Sequence, residues 1–127
     1  MSFKDVLDQK RSEDDKRKDN LHSLYKKIIS QQNDLQTLGV KSISEGGGYD
    51  ISTAGYQSGV CVSVELKKKS LFGKMYFFTI YCFDLGEFYL DLHYCLGYEG
   101  KRVWKCTVKD EEIEKAIVDG LLYYKSL

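Results

Sequence analysis

The stretch Lys74–Leu96, KMYFFTIYCFDLGEFYLDLHYCL, constrains the fold more than any other part of the chain. Two runs rich in Tyr, Phe, Ile and Leu flank a Gly-containing break, and such residues suit a pleated, half-buried surface. Asp84-Leu85-Gly86 predicts a tight hairpin, closed by a type I turn with Gly in the left-handed position or by a strict two-residue loop. Either closure is taken to leave the same residues sharing a face.

Two-residue alternation assigns Met75, Phe77, Thr79, Tyr81 and Phe83 to the core face, together with Phe88, Leu90, Leu92, Tyr94 and Leu96. The opposite face then carries Tyr76, Phe78, Ile80 and Cys82, with Tyr89, Asp91, His93 and Cys95. The first run is apolar on both sides, which predicts a central strand or one that faces a partner.

Before the hairpin, Leu21, Leu24, Tyr25, Ile28, Ile29, Leu35 and Leu38 form a stripe at helical spacing, with Asn20 as a candidate cap and Gly39 as the stop. Residues 8–20 carry ten charges in thirteen positions. Lys10–Asp14, Arg11–Asp15 and Asp14–Lys18 have the four-residue spacing of ion pairs on a solvated helix. A disordered arm is the other reading. Leu7, Leu21, Ile28 and Leu35 keep a heptad phase that Asp14 interrupts, as in a docking arm or coiled-coil-like extension. Residues 1–19 are therefore read as a charged N-terminal arm or helix extension, and residues 20–127 as a single α+β domain.

After Gly39 the pattern changes to strands: 40–45 and 49–53 around Gly46-Gly47-Gly48, then 58–67, where Val60, Val62, Val64 and Leu66 point inward. Residues 103–108 form a further strand. Residues 109–127 read as a helix, with acidic Asp110, Glu111 and Glu112 at its start and Ile113, Ile117, Leu121 and Tyr124 on its buried side. Gly120 on that helix suggests close packing on the sheet. The predicted architecture is α+β: an N-terminal helix, an antiparallel β-meander of five to six strands, and a C-terminal helix.

The nineteen basic and nineteen acidic residues cancel, so no global field draws the protein to nucleic acid or an anionic membrane. No apolar run approaches the ~18 residues of a membrane span, and MSFKDVLDQK lacks an apolar signal core. A cytoplasmic location without a membrane partner is expected. Cys61, Cys82, Cys95 and Cys106 fall one per strand without metal-ligand spacing and are read as packing residues. No metal or cofactor is expected. The glycine triplet lacks the spacing of a phosphate-binding loop.

Two surfaces stand out as partner-binding candidates. A meander places alternate loops together, so the Gly46–Gly48 turn, the 67–74 loop and the 97–102 loop are expected at one end. That end carries Lys67, Lys68, Lys69, Lys74, Lys101 and Arg102, with Leu71 and Phe72 at a tip. The second surface is the outer face around Tyr76, Phe78, Ile80, Tyr89 and His93, taken to lie open as an interface patch.

The leading expectation is a non-enzymatic protein-binding protein, of the kind that serves as an inhibitor, immunity or anti-defence antagonist of a nucleic-acid-handling enzyme. Self-association as a homodimer is part of it. The alternative is a small nucleic-acid-binding module using the basic loops, with Phe72 and Tyr98 for stacking. A hydrolase using His93, with Asp91 and Ser63, is the second alternative. No nucleophile elbow or oxyanion loop supports it.

Overall fold

The computed structural model describes residues 2–46, 61–84, 86–96 and 99–127. Within them the order is α1 (Phe3–Ser30), α2 (Gln32–Gln36), β1 (Val40–Gly46), β2 (Cys61–Leu66), β3 (Met75–Asp84), β4 (Glu87–Leu96), β5 (Glu99–Lys109), a 3₁₀ turn (Asp110–Glu112) and α3 (Ile113–Ser126). The strands form one antiparallel meander, β1-β2-β3-β4-β5. The expected α+β order is therefore present. The strand expected at 49–53 and the stacking residue Tyr98 lie outside the described residues.

The charged segment is helical and continuous with the amphipathic one. Helix α1 starts at a capping box, in which Ser2 Oγ accepts from the Asp5 amide and the Asp5 carboxylate accepts from the Ser2 amide. Asn20 is thus an interior residue and not the cap. The long stripe is broken at Gln31, and α2 carries the chain to Gly39, whose φ of +95° makes the turn into β1.

Both helices lie on the same face of the sheet, α1 against β1–β3 and α3 against β4 and β5. Leu21, Leu24 and Ile28 of α1 join Ile113, Ile117 and Leu121 of α3 over Val62, Val64, Phe78, Ile80, Leu90 and Leu92. Lys27 of α1 pairs with Glu114 of α3 at the rim, and that hydrogen bond raises the ammonium pKa.

The sequence-based division of faces fails at β3. Phe78 stands opposite Leu92, Ile80 opposite Leu90 and Tyr76 opposite Tyr94, so these residues share the helix-covered face. Phe77, Thr79 and Tyr81 stand opposite His93, Asp91 and Tyr89 on the other face. The reason is a single residue. At the tip Asp84 pairs with Glu87, as in a two-residue loop, and Gly86 takes φ +80°. A bulge between Cys82 and Asp84 then absorbs one extra residue of β3. The two closures considered from sequence differ by one residue, and a one-residue slip exchanges the faces of a whole strand. Phe78 and Ile80 are fully buried in the core as a result.

The loop ends are corrected in the same way. Val40 pairs with Leu66 and Gly46 with Cys61, so Gly46 lies at the end of the Asp84–Glu87 hairpin. The 67–74 loop and the β4–β5 connection share the opposite end. The expected grouping assumed an extra strand between β1 and β2, and β1 pairs with β2 directly.

Candidate functional site

Two features on the folded chain bear on function: a buried polar cluster on the sheet face opposite α1 and α3, and the β2–β3 loop.

The cluster is built by three adjacent strands. Thr79 on β3 stands opposite Asp91 on β4, and His93 follows two residues along the same face. Asp91 Oδ1 accepts from Thr79 Oγ1 at 2.5 Å and from His93 Nδ1 at 2.8 Å. The carboxylate can only accept, so Nδ1 carries the shared proton. The His93 ring stacks on Phe77, with centroids 5.8 Å apart.

Arg102 completes the group by way of a second bulge. Leu92 pairs with Trp104, but His93 pairs with Arg102, leaving one residue of β5 extra between them. In regular pairing Arg102 would instead stand opposite Tyr94 and point to the helix-covered side; the bulge turns it toward Asp91. With it, Nε lies 3.8 Å from Asp91 Oδ2, too long for a hydrogen bond, and the guanidinium stands 5.5 Å over the Tyr89 ring. Asp91 Oδ2 and His93 Nε2 are buried with no hydrogen-bond partner among the described residues.

Chemically this is a buried, hydrogen-bonded ion cluster. The Asp91–His93 bond resembles the orienting half of a hydrolytic triad. The hydroxyl present, Thr79, is spent on Asp91 and not on His93 Nε2. Ser63 lies on this face opposite Thr79, one strand further from Asp91, or about 10 Å at the usual strand spacing. Both carboxylate and imidazole side chains are only 1% exposed, so no substrate reaches them in this arrangement. Among the described residues no three His, Cys, Asp or Glu side chains are grouped to hold a metal ion.

The aromatic patch expected on the outer face is not assembled. Phe78 and Ile80 are core residues under the helices, and Tyr76 is half-buried between Tyr94 and Tyr124. Tyr89 and His93 are buried on the other side of the sheet. The bulge in β3 separates them, so they cannot form one surface.

The β2–β3 loop presents what the sheet face does not. Ser70–Gly73 closes a tight turn through the Gly73 amide and the Ser70 carbonyl at 3.0 Å, and Leu71 and Phe72 at its tip are 82% and 95% exposed. Lys67, Lys68, Lys69 and Lys74 flank the tip, and Lys101 is exposed on β5 at the same end. Two lysines also anchor the loop. Lys69 donates to the Leu127 and Lys125 carbonyls and lies over the Tyr124 ring, while Lys74 stands 4.3 Å above the Tyr94 ring. Tyr124 donates to the Lys67 carbonyl, and burial followed by nearby Tyr76 pushes its phenol pKa up. A cavity of about 190 Å³ at the loop base is lined by Lys69, Gly73, Lys74, Tyr76, Tyr124 and Leu127. Arg102, expected at this end, is diverted to Asp91.

Sequence reasoning missed two members of the cluster, Thr79 and Arg102. Their approach to Asp91 depends on bulges that leave no periodic signature. No protein-family description, curated protein or solved structure matches this chain.

Proposed function

We propose that the protein is a non-enzymatic protein-binding module whose contact surface is the Leu71–Phe72 tip with its lysine rim. The observation that carries this reading is two adjacent large apolar side chains held in solvent on an anchored turn. A lone exposed apolar residue is ordinary, but such a pair supplies the central anchor an interface needs. The flanking lysines select an acidic partner surface with an apolar recess for Phe72, and favour fast encounter at low salt.

The partner chemistry bears on the antagonist reading. The nucleic-acid groove of an enzyme is usually basic and would repel this end, so an antagonist of such an enzyme would engage an acidic surface elsewhere on it.

The test compares capture from nuclease-treated native-host lysate by wild type, Phe72→Asp and Lys67→Glu/Lys68→Glu. A specific protein retained by wild type and lost by both variants, each folded by circular dichroism, supports the proposal. Capture indifferent to both overturns it. Binding of labelled single-stranded RNA or DNA by wild type, falling steeply with salt and lost in the lysine variant, would replace it with the nucleic-acid alternative.

A further inference from the structure

The N-terminal half of α1 projects as a helix that its own domain does not cover: residues 2–18 are exposed apart from half-covered Glu13 and Arg17. At its tip Phe3, Val6 and Leu7 share one face by their three- and four-residue spacing, and Phe3 is 96% exposed. Further along the same helix an apolar cleft of about 100 Å³ opens between α1 and α3, lined by Leu24, Ile28, Leu35, Ile117 and Val118 with Lys27 and Glu114 at its edge. The tip cannot reach this cleft in its own chain. Leu7 and Leu24 belong to one continuous helix and lie roughly 26 Å apart along it at 1.5 Å per residue.

Between tip and cleft the sequence runs Glu13-Asp14-Asp15-Lys16-Arg17-Lys18, three acids followed by three bases. Within one helix this order permits local pairs, and Arg17 does pair with Asp14. It is also self-complementary. In two antiparallel copies centred between Asp15 and Lys16, each acidic trio lies level with the basic trio of the other. The same centre brings Leu7 level with Leu24 of the second copy, and Phe3 level with Ile28. A parallel pairing would set like charge against like.

We infer that α1 is a dimerisation arm: two copies of this chain pair antiparallel through residues 13–18, and the Phe3–Leu7 tip of each docks at the α1–α3 cleft of the other. The occupant is a second copy because the two trios complement each other in that arrangement and the apolar residues of tip and cleft then fall level with one another. The interface is isologous, as closed two-fold pairing requires. It is separate from the Leu71–Phe72 surface and stands or falls without it.

Sedimentation equilibrium of the full chain tests it. Wild type is expected to be dimeric. E13K/D14K/D15K and K16E/R17E/K18E are each expected to be monomeric, with helix content checked by circular dichroism. The six-fold exchange of both trios, and an equimolar mixture of the two triple variants, are expected to restore dimers. Leu7→Glu, in which the tip alone is altered, is expected to lose the dimer. Monomeric wild type, or triple variants that stay dimeric, would overturn the inference. So would spin labels on Ser2→Cys lying about 10 Å apart, as in a parallel pair, in place of the roughly 40 Å expected for antiparallel arms at 1.5 Å per residue.

Discussion

Gly120 lies flat against the ring of Phe78: a Cβ on this glycine would stand 2.3 Å from Phe78 Cε2 and 2.9 Å from Trp104 Cζ3. At this position α3 contributes only backbone to its contact with the sheet, against the Phe78 and Trp104 rings. Alanine in an exposed helix is better than glycine by about 1 kcal/mol. Here the added methyl must displace the buried Phe78 ring and the half-buried Trp104 ring, and overpacking of that kind costs about 1–3 kcal/mol. Gly120→Ala is expected to lower the urea midpoint, and a raised midpoint would show that α3 can lift without penalty.

Phe78 is a core anchor and not a surface contact. Phe78→Ala is expected to cost about 3–5 kcal/mol through lost burial and a cavity. Phe78→Glu places a charge in the same space and is expected to abolish the cooperative unfolding transition. A folded Phe78→Glu protein would return this ring to the surface.

Asp91 holds Thr79 and His93 and faces Arg102. Asp91→Ala leaves buried donors without an acceptor, and breaking a buried pair in this way costs about 3–5 kcal/mol. Arg102→Met is expected to cost about 1 kcal/mol, because the guanidinium is partly solvated and the pairing is long. The double variant is expected to cost less than the sum of the singles. Strict additivity in urea unfolding would show that the two charges do not couple.

Burial, and then Tyr76, raise the Tyr124 phenol pKa above its ordinary value near 10. The folded state thus keeps its proton where the unfolded chain loses it. The resulting stability is complete below about pH 10 and is lost as pH rises through the higher folded value. Tyr124→Phe is expected to flatten that alkaline decline. Its loss of the hydrogen bond to the Lys67 carbonyl is expected to cost about 0.5–1.5 kcal/mol at neutral pH. Thermal melts of both proteins across the alkaline range check the pair of effects.

The helix stripes, the stop at Gly39, the alternating β2 strand and the buried side of α3 are all legible in the sequence, because each depends on periodicity within one element. The exposed Leu71–Phe72 tip is legible for a related reason, since a short lysine-flanked turn has no core to enter. The expected aromatic patch fails because it joins residues of two strands. Tyr76 and Phe78 do share one face, and Tyr89 and His93 share another, but alternation within each strand cannot say which sets meet.

By itself the amino-acid order determined the elements, their sequence along the chain, and which neighbours within each strand point the same way. Tertiary structure alone decided that Phe78 goes under α3 and that Arg102 turns toward Asp91. The physical reason is that a bulge adds one residue to one strand, and with side chains alternating every residue, that single addition exchanges core for surface all the way along.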